Sequence, residues 1–127
     1  MNDTDKIRAF TDLNTWKEGH KLVLMIYKAT DNFPKKETYS LIDQMRRAAV
    51  SITSNIVEGF SRRGLKEKIQ FYAVSSGSLT ELQNQVIVSK DICYLQGKSL
   101  QNIQNQLTIV QKFINGLIKS AKKVHYA

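Results

Sequence analysis

Arg47, Ser51, Asn55, Glu58 and Arg62 recur at steps of four, four, three and four within the segment Gln44 to Arg63. On a helix of about 3.6 residues per turn they fall on one stripe. A guanidinium, a hydroxyl, an amide and a carboxylate in line can hold an anion, relay a proton or position a substrate. Glu58 is the lone candidate general base, because partial burial raises the pKa of a carboxylate. The alternative, and the preferred reading, makes it the ion-pair partner of Arg47 or Arg62 on the same face. The companions that catalysis needs are missing. His20 and His125 are the only histidines, and neither follows a Glu at the spacing of a di-iron bundle motif. No Gly-x-Ser-x-Gly or Gly-rich phosphate loop occurs. Cys93 is the single cysteine, so it has no disulfide or ligand partner in the chain. These absences predict a protein without catalytic residues, metal or cofactor. His20 then reads as a hydrogen-bonded residue at the core edge. The Arg47–Ser51–Asn55–Glu58 stripe reads as structural: groups that must be paired when buried and that fix the register of an apolar bundle. Glu81 and Gln85 are its expected cross-helix partners.

The charge suggests a different activity. The 127 residues carry 19 Lys and Arg against 11 Asp and Glu, a net charge of +8. Such a balance favours polyanions. It is unevenly distributed: Asp91 is the last acidic side chain, and Lys98, Lys112, Lys119, Lys122 and Lys123 follow it. A second basic group, Arg62, Arg63, Lys66 and Lys68, is interrupted only by Glu67. The candidate nucleic-acid contacts are therefore Arg62, Arg63, Lys66 and Lys68, with Lys119, Lys122 and Lys123 as a second patch. Binding through them would be to phosphates and steeply salt-dependent. The competing reading is an oligomeric scaffold or accessory protein that docks an acidic partner, such as a nucleic-acid enzyme. A membrane role is not expected, since no apolar run approaches the roughly 20 residues that a bilayer demands. The polar start MNDTDKIR has no signal-peptide core, and with a lone cysteine this predicts a cytoplasmic protein.

The elements that must carry these groups are helices. One Pro and six Gly are too few for a loop-rich β protein. After a flexible lead-in over residues 1–11, Leu13, Trp16, His20, Val23, Tyr27 and Thr30 alternate steps of three and four, predicting a helix over about 12–31. Thr15 and Glu18 have capping-box spacing. Pro34 stops that helix and begins the next, over about 35–63, with Gly64 as its end. The wide apolar arc of this second helix asks for more than one neighbour and suggests contact with another subunit. A third helix spans about 65–95, with Gly77 in its middle implying a close helix approach and Gly97 as its C-cap. The fourth, about 99–123, opens on Ser99 and repeats Leu100, Ile103, Leu107, Val110, Ile114, Leu117, Ala121 and Val124. Short loops and a heptad-like repeat predict one all-α domain, an antiparallel up-down-up-down four-helix bundle with left-handed packing.

The same residues carry a family resemblance. The opening Phe10 to Trp16, then Phe33-Pro34 and Glu37-x-Tyr39-x-Leu41, lead to Gln44-x-x-Arg47-Ala48-Ala49-x-Ser51-Ile52-x-Ser54-Asn55-Ile56-x-Glu58-Gly59, followed later by Gly77-Ser78-Leu79-x-Glu81-Leu82. This pattern resembles the 23S rRNA intervening-sequence proteins over nearly the whole chain after residue 9. The resemblance implies a small antiparallel bundle assembled as a homopentameric ring, with no catalytic residues to carry over. It also implies kinship to proteins encoded within rRNA intervening sequences. More distantly, it points to basic accessory proteins of reverse transcriptases.

Overall fold

The computed structural model describes residues 7–125, the side chain of His125 excepted. Four α-helices account for most of them: α1 (Asn14–Thr30), α2 (Leu41–Ser61), α3 (Leu65–Asp91) and α4 (Gly97–His125). No strand occurs among the described residues. Each helix has two neighbours: α1 packs on α2 and α4, and α3 packs on the same pair from the far side. Leu22 and Ile26 of α1, Met45, Ile52 and Ile56 of α2, Leu79, Leu82 and Val86 of α3, and Ile103, Val110 and Ile114 of α4 are at most 1% exposed. Burying each contributes about 1.5–3 kcal/mol. Gly19 lies against Thr53, and Thr30 against Arg46. Ser51 meets Ser78, and Met45 meets Ser89. Thr15 reaches Phe113, and Glu18 reaches Gln106. In each of these three seams the numbers rise on one helix as they fall on its neighbour. Much of the wide apolar arc of α2 is taken up by α1 on one side and α3 on the other, while Val50 stays 39% exposed.

Several local expectations change. Pro34 does not open α2. It is extended, with ψ of 137°, and precedes a single 3-10 turn, Lys35–Glu37. The Glu37 carboxylate accepts the Ser40 hydroxyl at 2.6 Å, and Thr38 Oγ1 donates back to the Lys35 carbonyl at 2.7 Å. These local bonds satisfy the backbone without a helix, so α2 begins six residues later than expected, at Leu41. Nor is Thr15 a cap. The N-cap of α1 is Leu13, with no side-chain bond, and Thr15 lies buried within the helix, turned toward α4. Helix α3 ends at Asp91 rather than near residue 95. There Cys93 takes the left-handed φ of 65°, and the Tyr94 and Leu95 amides both donate to the Ser89 carbonyl. Gly97, also at φ 65°, begins α4 instead of capping α3, and Ser99 lies inside that helix. Of the lead-in, residues 1–6 lie outside the described residues, whereas the Arg8 and Ala9 amides donate to the Asp12 carboxylate and so hold it below the usual carboxylate range.

Gly77 does not mark a close contact inside the bundle, for a Cβ there would meet nothing within 4 Å. That role falls to Gly59, where a Cβ would sit 2.5 Å from the Tyr72 ring. The two differ in face: Gly59 is buried between α2 and α3, and Gly77 points outward.

Candidate nucleic-acid interface

The α2–α3 connection is short because α2 stops at Ser61 and Gly64 serves as the N-cap of α3. Arg62 is extended, so the two helices turn back on one another within three residues. This turn carries Arg62, Arg63, Lys66 and Lys68, and their environments are unequal. Arg63 and Lys66 are exposed and in no ion pair among the described residues. Arg62 Nη2 lies 3.0 Å from Glu58 Oε2, and its guanidinium rests 4.8 Å above the Phe71 ring. Both contacts hold the cation in place while leaving it at the surface.

Lys68 faces inward. Its Nζ donates to the Gly59 carbonyl at 3.1 Å and the Phe60 carbonyl at 2.8 Å, and it lies 5.7 Å from the Phe60 ring centroid. Those are terminal carbonyls of α2, which lack partners within the helix. The ammonium therefore caps α2 and complements the negative end of its dipole. Burial holds it below the usual lysine range. Sequence spacing marked Lys68 as basic but gave no sign that its charge is directed into the protein.

Lys119, Lys122 and Lys123 are all exposed on the last turns of α4, and none is in an ion pair among the described residues. Lys112, two turns earlier, borders a groove of about 390 Å³ lined also by Asn14, Thr15, Phe113, Gly116 and Ser120. A second groove of about 440 Å³ lies at the opposite end of the same seam, lined by Met25, Lys28, Asn32, Lys98 and Asn102 among others.

The polar stripe of α2 is divided. Ser51 Oγ and Ser78 Oγ are 2.8 Å apart, and Asn55 Nδ2 donates to the Ser51 carbonyl at 2.8 Å and to its hydroxyl at 3.1 Å. The centre of the stripe thus stitches α2 to α3. Its ends do not, for Arg47 bonds Asp43 at 3.0 Å and Glu58 bonds Arg62, each four residues away along the chain. The expected partners Glu81 and Gln85 bond each other instead, at 3.3 Å, and the Gln85 Oε1 is buried without a partner. Ser78, one turn before Glu81 and two before Gln85 on α3, is the residue level with Ser51, and a hydroxyl suits the narrow gap that two serines leave. Glu58 is exposed and pairs with Arg62, the ion-pair role preferred from the sequence. His20 is exposed rather than bonded at the core edge, and stacks on Trp16 with centroids 4.7 Å apart.

Sequence reasoning also passed over Arg46. Its Nε donates to Thr30 Oγ1 at 2.9 Å, while Nη2 reaches the Tyr27 carbonyl at 3.3 Å and Asp31 Oδ1 at 2.9 Å. Arg46 does for α1 what Lys68 does for α2. The available signal was a cation in the early turns of the following helix. Among the described residues no group of three or more His, Cys, Asp or Glu is arranged to hold a metal ion. No described helix is long and apolar enough to cross a membrane.

Residues 11–116 match the family model described as the 23S rRNA-intervening sequence protein. No curated protein matches the chain. Among solved structures, the fold is similar to a protein of unknown function from the S23 ribosomal protein family of Bacteroides thetaiotaomicron VPI-5482. The TM-score is 0.74 at 18% identity, over 83% of this chain and 98% of that one. At that identity the likeness concerns the fold alone.

Proposed function

Because the chain belongs to the 23S rRNA-intervening sequence protein family, we propose that it is a non-enzymatic cytoplasmic protein that assembles with copies of itself and binds RNA or DNA through one basic end. The bundle is read as antiparallel, up-down-up-down, with left-handed packing. The opposed numbering of the helix pairs supports the first feature, and the heptad-like repeat of α4 supports the second. In that arrangement the α2–α3 turn and the end of α4 lie at the same end of the molecule. A homopentameric ring, implied by the resemblance, would repeat this basic end around its axis.

The observation that carries the reading is the set of free surface cations: Arg63, Lys66, Lys119, Lys122 and Lys123 are exposed without an acidic partner among the described residues. Arg62 joins them from above Phe71, whereas Lys68 acts within the fold. Phosphate contacts of this kind release counterions and give little sequence preference.

Fluorescence anisotropy with a labelled RNA hairpin and a labelled DNA duplex tests the proposal. Binding at low salt should weaken steeply, by about 10³ or more between 50 and 200 mM if six or more phosphates are engaged. The triple change Arg63→Ala, Lys66→Ala and Lys122→Ala should reduce the slope of log K on log salt by about 2–3. Absence of binding at low salt would overturn the proposal. A pull-down that survives nuclease treatment would favour the acidic-partner reading instead.

A further inference from the structure

The charged residues of this chain avoid the middle of three helices. Residues 48–57 of α2 and 99–111 of α4 carry none, and between Ile69 and Ser89 of α3 the only one is Glu81. At the chain-wide 24%, these stretches would hold about ten. Burial does not account for the gap, because much of this surface is open. Val74 is 53% exposed, Ile87 52%, Val88 40%, Ile109 39% and Val50 39%. Gln70, Ala73, Gly77, Thr80 and Asn84 are exposed around them on α3. By contrast α1, which lies across the bundle from α3, shows Lys17, Lys21 and Lys28 to solvent.

From this we infer that the outer face of α3, flanked by α2 and α4, is an interface that receives a second copy of the chain. Depletion of charge at the centre of a patch is the compositional mark of an interface core. A helix apolar on more than one side is one that neighbours cover on more than one side. The charge distribution also selects the occupant. Nucleic acid and acidic proteins are recognised by cations, and this face has none between Ile69 and Ser89. Its amides and hydroxyls are too polar for lipid. Two copies, each at +8, repel one another wherever their cations meet, and approach closely only through surfaces that lack them. Uncharged amides and hydroxyls donate and accept alike, so the face can pair with a charge-free surface of another copy. Gly77, whose Cβ position is open, leaves room at the centre for a partner backbone or side chain.

The inference rests on the self-assembly part of the proposed function and is independent of the basic end. Light scattering coupled to size exclusion, on the full chain over a roughly hundredfold concentration range, should give a multiple of 14.5 kDa. Val74→Glu with Val88→Glu lowers the net charge, so any loss of assembly cannot come from stronger repulsion among cations. This double variant should run at 14.5 kDa with its helical circular dichroism retained. Val124→Glu, which alters an apolar residue that is 64% exposed outside this face, should leave assembly unchanged. A wild-type chain that stays monomeric would overturn the inference together with self-assembly, leaving the anisotropy result untouched. A multimer indifferent to the double change would overturn the face alone. Should the double variant unfold, Thr80→Cys in a Cys93→Ser background, labelled with benzophenone maleimide, decides instead. A covalent dimer on irradiation supports the interface, and its absence from an assembled sample overturns it.

Discussion

The seam between α2 and α3 and the seam between α1 and α4 are built by opposite means. Small residues close the first. Gly59 admits the Tyr72 ring, Ser51 meets Ser78, and Ser75 Oγ donates to the Ile52 carbonyl at 2.7 Å. Long side chains bridge the second. Gln106 Nε2 donates to the Glu18 carbonyl at 2.9 Å and its carboxylate at 3.0 Å, and a groove opens at each end of the seam. One seam tolerates no added atom, and the other has room to spare. Helix–helix contact in a single small protein can thus be either rigid or forgiving, according to side-chain length at the interface.

The comparison breaks most readily at its glycines. Gly59→Ala should destabilise by about 1–3 kcal/mol, since the added Cβ meets an aromatic ring that has to move. Gly116→Ala, where a Cβ would meet nothing within 4 Å, should instead stabilise by about 0.5–1 kcal/mol through helix propensity. Urea unfolding of the two variants measures both, and equal signs would dissolve the contrast. A smaller difference is expected between Ser75→Val and Thr15→Val. The first removes a buried hydrogen bond and adds volume to a filled site, for about 1–2 kcal/mol. The second gives up a bond of 3.5 Å beside a groove and should cost less than about 1 kcal/mol.

The smallest effect concerns pH. Hydrogen bonding from Gln106, assisted by Lys21 and opposed by desolvation, holds the Glu18 carboxyl below the usual range. A depressed carboxyl contributes stability above its unfolded pKa, and that contribution is lost as pH falls through the folded value. Melting temperature should therefore drop on acidification through and below the ordinary carboxylate range. Gln106→Leu should lessen the part of that drop due to Glu18. An identical slope in the variant would remove Gln106 from the account.

The four helices were legible because their apolar periodicity is long and strong, as in α4 from Leu100 onward. Boundaries were legible only where the stop signal was unconditional. Pro34 does end the helix before it, yet the start of α2 depended on the Glu37 carboxylate turning to Ser40 and Tyr94, a choice that no periodic pattern records. Of the two decisive glycines, sequence pointed to Gly77 and the close approach occurs at Gly59. Residue type says only that a glycine fits, and the burial of its face says what passes close by. The stripe was legible as a line of polar groups, but its division into a stitched centre and two surface ion pairs was not. The basic candidates behaved similarly: counting charges found Lys68, and only its two carbonyl contacts at the end of α2 separated it from Arg63 and Lys66.

Those carbonyl contacts bear on how the chain acquires its shape. The last turn of α1 is completed by Arg46, and the last turn of α2 by Lys68, each cation arriving from the helix that follows. Each of these helices is therefore fastened at its trailing end by its successor as well as by its own cap amides. On a ribosome that succession becomes an order of events, since α1 leaves the exit tunnel well before Arg46 can reach it. The chain emerges as a relay, with each segment firming the one ahead of it.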